Sequence, residues 1–419
     1  MSAPRPAEAA RPPRGSSKVA KQHLLVSVQM RVVVIGGGAI GSAVALFLKQ
    51  LGGSAVAVRV VEPDPGLSQS SSALSAGSIR QQFSQAINVR MSQFGHHFIE
   101  QVRQGQGPLA EPLDLGFVAG AYLFCASAAG APGLRACHAA QRGAGAEVAL
   151  LSPDETAARF PWLRTDDLAL TSLGLAGEGW LDGFSFARGL GQMARSLGAV
   201  WQRGRVVGFE RNGPQLQAVQ LDSGERLEAD HFVNAAGPWA GAVGRLAGLD
   251  VPVHAKRRTV FAMTCPTALP PTPLVIDPSG VWFRSEGSGF IGGWSPGDGD
   301  EDPDDLPLDQ PDLAQFDDKL WPALAQRVPA FEALRVQHAW AGYYEVHPLD
   351  HNALIGPHPQ CDNLLLCNGF SGHGLQHAPA AGRGLAEWLL HGRYTSLDLS
   401  PFSPQRILTG QAFSESAII

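Results

Sequence analysis

The run Arg31-Val32-Val33-Val34-Ile35-Gly36-Gly37-Gly38-Ala39-Ile40-Gly41 decides how the rest of the chain is read. The four β-branched residues at 32–35 have the composition of a buried strand. Three glycines turn the chain, and Ala39, Ile40 and Gly41 begin a helical pattern carried on by Ala45, Leu46 and Leu48. A second β-branched run over 56–61 ends in Glu62. The spacing Gly36-x-Gly38-x-x-Gly41 thus falls at a helix N-terminus, where free N–H groups and the helix dipole attract a pyrophosphate. Glu62, 21 residues past Gly41, is placed to accept from ribose hydroxyls. The reading is dinucleotide binding. A membrane span over the same residues is excluded by its short length and by glycines that serve a turn.

With 419 residues the chain is long for a single core, so one large or two interleaved domains are expected. An apolar content of 44% and a charged content of 17% describe a globular chain that buries a sizeable core. A net charge of −6 argues against nucleic acid as the main partner. The five cysteines are scattered and odd in number, which gives neither a disulfide framework nor a zinc knuckle. No metal site is expected: His96 and His97 lack a carboxylate at ligand spacing, and the acidic loop 298–305 reads as a solvated insertion.

Residues 1–30 carry five basic residues against Glu8, which suits a mitochondrial transit peptide, although the prolines also suit a disordered extension. The segment 68–83 is small and polar and delivers Arg80 into an uncharged setting; it is either a carboxylate clamp or a loop with a surface arginine. Helices are expected over 86–102 and 184–197, the second capped by Asp182, with hairpins between 200 and 227. A strand over 231–235 runs into Ala236, Gly237, Pro238 and Trp239, small residues where a ligand passes over a sheet. Strands of a second sheet follow between 251 and 294. Near the end, an apolar strand leads into Gly369-Phe370-Ser371-Gly372-His373-Gly374 and then a helix with Ala378, Ala381, Leu385 and Trp388. This second glycine turn offers free N–H donors and positive dipole to another anion.

Two glycine-turn helix starts, with Asn234-Ala235-Ala236-Gly237-Pro238-Trp239 between them, resemble the D-amino-acid oxidase superfamily of FAD-dependent oxidoreductases, relatives of sarcosine oxidase and dimethylglycine dehydrogenase. The resemblance covers about residues 31–393. It implies an α/β fold: a Rossmann-type FAD-binding domain (31–110, 176–250, 345–419) interleaved with an α+β substrate domain on a mostly antiparallel sheet (111–175, 251–344). By resemblance Gly36, Gly38, Ala39, Ile40 and Gly41 hold the FAD pyrophosphate and Glu62 the adenosine ribose. Gly237 lies along the cofactor, while Gly369, Gly372 and Gly374 approach the isoalloxazine.

Departures from the family pattern are informative. The cysteine that anchors flavin in sarcosine oxidase aligns with Tyr343, and the histidine used by dimethylglycine dehydrogenase aligns with Leu74, so FAD is expected to be non-covalent. The lysine that assists reaction with oxygen aligns near Ile291, which points to a dehydrogenase rather than a fast oxidase. Arg80 keeps one half of the carboxylate clamp, whereas Gln376 replaces the lysine of the other half. Losing that cation removes about 1.5–3 kcal/mol of charge-assisted binding. Tyr344, His347 and His373 are further candidates for acid, base or donor roles.

The expected function is oxidation of an amine or amino-acid C–N bond, with electrons passed to a carrier. The stretches Ser78-Ile79-Arg80-Gln81-Gln82-Phe83-Ser84, Trp340-Ala341-Gly342-Tyr343-Tyr344 and Gly356-Pro357-His358-Pro359 also resemble a mitochondrial branch of the family linked to respiratory complex I assembly. That implies complex I assembly intermediates as partners, contact with a membrane surface without a spanning segment, and a mitochondrial rather than cytoplasmic location. It also leaves a rival reading, an FAD-binding assembly factor with little turnover. A nicotinamide-dependent dehydrogenase is a third.

Overall fold

The structure is a computed structural model that describes residues 1–3, 29–297 and 300–417. The basic leader, two residues of the acidic loop and the last two residues lie outside the described part. The chain's first sheet has six strands in the order β5-β6-β4-β1-β2-β3. They are β1 (Met30–Ile35), β2 (Val56–Glu62), β3 (Val200–Arg203), β4 (His231–Asn234), β5 (Leu354–Pro357) and β6 (Leu364–Asn368). All neighbouring pairs are parallel except β5 with β6.

Alternation along β1 builds two cores at once. Val32 and Val34 face helices α1 (Ala39–Gly52), α2 (Ala86–Arg103), α3 (Gly183–Ser196) and α4 (Gly374–His391). Val33 and Ile35 face a three-stranded antiparallel layer, Val206–Asn212, Gln215–Leu221 and Arg226–Glu228. With both faces covered, β1 must be apolar throughout, which is why it reads as a continuous β-branched run. Asp182 caps α3 through Phe184 N at 2.9 Å, as its sequence position suggests.

A second sheet of eight strands draws on residues 122–174 and 254–346. All its pairings are antiparallel except Leu274–Ile276 beside Tyr122–Ala126. Its long strand Arg335–Val346 runs directly into the β5-β6 hairpin and α4, and so joins the two sheets at the level of the second glycine turn. Within the polar stretch after β2, a one-turn helix, Ser71–Leu74, capped by the Ser70 side chain, lies against that strand. No described helix is long and apolar enough to cross a membrane.

Candidate active site

The glycines of the first turn have separate tasks. Gly36 has φ of 103°, and a Cβ there would lie 2.3 Å from the Ala235 carbonyl oxygen. A Cβ on Gly41 would lie 1.9 Å from the Gly36 carbonyl oxygen, so these two fix the close packing of turn, helix and β4. Gly38 differs: its Cβ would meet only Ser72 Oγ, at 3.6 Å. It leaves an approach to the start of α1, whose first residue carries no side-chain cap from Gly38. Ser72 Oγ instead accepts from Ala39 N at 3.1 Å. Glu62 closes the base of the turn, its carboxylate accepting from Gly37 N at 2.7 Å and Asp64 N at 2.8 Å.

The start of α1, at Ile40, and the second glycine turn open on one cavity of about 100 Å³, lined by Ile40, Ser71, Ser72 and Leu74 and by Gly342, Glu345, Gly372 and Gly374. Ser71 Oγ is buried there with no hydrogen-bond partner. Gly237 (φ 55°) faces Glu345 from β4. An approach left open at Gly38, a carboxylate ending β2 and an unpartnered hydroxyl fit an extended dinucleotide carrying a flat ring system.

A second cavity of about 80 Å³ shares Ser75, Ala76, Trp282, Tyr344, Gly372 and Leu375 with the first and adds Ser78, Arg80, Tyr122 and Gln376. Arg80 is 4% exposed and lies over the Phe83 ring at 3.9 Å. Its guanidinium donates to the Gln82 carbonyl and, at 2.5 Å, to the Ala417 carbonyl. Two of its five N–H donors are thereby engaged among the described residues. Burial pulls the guanidinium below its ordinary pKa, opposed by the nearby Glu415 and Glu178 carboxylates. Arg80 is therefore a buried cavity residue, not a surface arginine.

Gln376 lines the same cavity, yet its side-chain oxygen serves the protein: it accepts from Arg80 N at 2.7 Å and from Ser92 Oγ at 3.0 Å. Tyr344 packs its ring on Gly372, where any Cβ would lie 2.4 Å from it, and burial raises its phenol pKa. The two histidines stand back from the cavity lining. His347 is fully buried, its Nδ1 2.8 Å from Asp350, which in turn pairs with Arg406 and accepts from Phe413 N. That network fastens the C-terminal segment. His373 packs edge-on against Phe83 and beside His377; burial and then Arg80 push its pKa down to about 3. A ring that stays neutral down to that pH is no proton donor near neutrality.

Tyr343 and Leu74, the two positions at which the relatives bond flavin, lie on neighbouring elements, the strand Arg335–Val346 and the one-turn helix. The residue whose Cβ position faces Leu74, at 3.0 Å, is Gly342, while the Tyr343 hydroxyl donates to the Leu306 carbonyl at 2.7 Å and its ring meets Trp239 edge-on. Ile291 is buried beside Trp282 in a core cluster.

Sequence reasoning missed Glu178, Glu345 and Glu415, three nearly buried carboxylates. Glu178 accepts from Gln81 N and Tyr122 N, and burial pushes its pKa up to about 7. Glu415 accepts from Ser84 N, Gln85 N, Asn88 Nδ2 and Ala417 N. Carboxylates that bind backbone N–H groups from distant segments leave no periodic signature; only the small residues at Gly174 and Gly177 hinted at a crowded spot.

Residues 31–388 match the FAD dependent oxidoreductase family, DAO, and the chain belongs to it. FAD is its cofactor. Among relatives, it is similar to "FAD-dependent oxidoreductase domain-containing protein 1" of Bos taurus, at 39% identity over 93% of this chain and 87% of that protein. The homologue of that protein in Drosophila melanogaster is 32% identical over 92% and 80%. Of solved structures, L-proline dehydrogenase from P. horikoshii superposes with a TM-score of 0.79 at 26% identity, covering 92% of this chain and 99% of that one.

Proposed function

We propose that this protein is a non-covalent FAD dehydrogenase of a small amino acid with one carboxylate, acting on its C–N bond. The observation that carries the reading is Arg80, a buried cation lining a small cavity that shares its wall with the FAD cavity. Bound FAD supplies two-electron oxidation. The chain's residues do the rest: Arg80 takes the substrate carboxylate, and Trp282, Tyr122 and Tyr344 enclose the body of the molecule and keep out water. The similar proline dehydrogenase structure agrees with a compact imino or amino acid.

Arg80, Tyr122, Tyr344, Gln376, Ser78 and Ser371 include no base at neutral pH; burial pushes both tyrosines up. The amine therefore reacts as the uncharged form, and turnover rises with pH along the substrate's own ionisation. Anaerobic mixing with a panel of secondary and primary amino acids tests this: flavin bleaching by at least one, abolished in Arg80→Gln, is expected. Absence of bleaching across the panel overturns it.

A second reading rests on the same arginine. Its engagement by the Gln82 and Ala417 carbonyls describes a residue already serving the protein, which suits an FAD-binding factor with little turnover in complex I assembly. A relative named pyruvate dehydrogenase phosphatase regulatory subunit, mitochondrial, 24% identical, is by its name a regulator. Relatives named mitochondrial, with the basic leader, support a mitochondrial location. Loss of complex I in a knockout, rescued by wild type and by Arg80→Gln alike, would establish this reading over the first.

A further inference from the structure

Glu345 sits on the strand Arg335–Val346 and is 8% exposed, at the wall of the FAD cavity. One carboxylate oxygen accepts from Gly369 N at 3.3 Å and lies 3.7 Å from where a Cβ of Gly237 would stand. The other lies 3.3 Å from the same position on Gly374, the first residue of α4. The carboxylate thus lies at the N-terminal end of an 18-residue helix, beside Gly237 and Gly374.

No described Lys, Arg or His makes an ion pair with it. Lys256, on the adjacent strand, turns to Asp304; Arg258, across the cavity, is paired with Asp302. From β6 the only titratable neighbour is Cys367, a thiol pushed up by burial and then by Glu345. His373, at the start of α4, is neutral, Tyr343 and Tyr344 flank Glu345 on its own strand, and the Gly237 turn presents no titratable side chain. Its charge is balanced by backbone N–H groups and the helix end alone.

A helix N-terminus carries about half a positive charge, enough to favour one anion beside it. Reduction of FAD by hydride adds a second, in a low-dielectric cavity where two like charges repel strongly. We propose that Glu345 is the proton acceptor coupled to cofactor reduction, ionised beside oxidised FAD and protonated beside the reduced, anionic cofactor. Two electrons and one proton arrive as hydride from the substrate C–H bond. The second proton comes from solvent and forms the O–H of the Glu345 carboxyl; no bond of the protein breaks. Burial, opposed by the Gly369 and Phe370 N–H groups, holds this carboxyl at about 7, so a modest added charge tips it.

Potentiometric titration of the holoprotein across pH 6–9 tests this, because the slope of potential against pH counts protons taken up with two electrons. Wild type is expected to take up two protons over a window beginning near neutrality, and Glu345→Gln one throughout. Equal slopes overturn the proposal. Should Glu345→Gln fail to retain FAD, the reduced-minus-oxidised infrared spectrum of wild type decides: a new protonated-carboxyl band at pH 8 is expected, and its absence overturns the proposal.

Discussion

The backbone N–H of Arg80 donates to the side-chain oxygen of Gln376 at 2.7 Å, across 296 residues of sequence. The amide side chain thus holds the backbone of Arg80 in place at the cavity wall. Gln376→Leu strips a partner from Arg80 N and from Ser92 Oγ in a buried setting, an effect of about 1–3 kcal/mol. A clear fall in thermal midpoint of the holoprotein is expected. An unchanged midpoint would mean that Gln376 is a cavity residue without a supporting role.

Gly41→Ala drives a methyl group into the Gly36 carbonyl, 1.9 Å away, so the turn must open. FAD binding should weaken at least tenfold, about 1.4 kcal/mol or more, by titration of apoprotein. Gly38→Ala meets only Ser72 Oγ from the protein side, and any loss there reports the cofactor's own approach.

Acid precipitation should leave all flavin in the supernatant, since the Tyr343 hydroxyl is held by the Leu306 carbonyl and Leu74 offers no nucleophilic atom. Yellow colour in the pellet would contradict this.

Glu178 holds its proton to about pH 7, whereas the unfolded chain releases it near the usual 4.5. Between those values the folded state binds more protons, so this group's contribution to stability declines as pH rises from 4.5 to 7 and is flat beyond. Glu178→Gln, measured by denaturant unfolding, should therefore gain on wild type over that interval. His373 acts in the opposite sense: held neutral to about pH 3, it makes stability rise with pH until the imidazole's usual 6.5.

Glu415→Ala removes the acceptor for Ser84, Gln85, Asn88 and Ala417 N–H groups. The segment 413–417 should become readily cleaved in limited proteolysis, while wild type resists.

Much of the nucleotide half was legible because local chemistry dictates it. The β-branched run of β1, the turn at Gly36 and the Asp182 cap depend on neighbours in sequence, and those stand close to where the residues alone put them. The substrate half was less so. His347 looked like chemistry because it is a histidine near the right loop, yet its ring answers to Asp350 and Arg406, partners that only tertiary packing supplies. Glu345 went unread because one acid in a strand of aromatics carries no spacing signal.

The order of strands in the first sheet has a consequence for how the protein is made. Val33 pairs with Phe232, and Phe232 with Leu364, so three distant segments must meet before β4 is flanked on both sides. Until the ribosome has delivered residue 368, the edge of an apolar strand stands open to any other chain. Assembly of this sheet is dominated by long-range closure and is slow for that reason. The β4 edge is therefore the stretch most open to mispairing while the chain is being made.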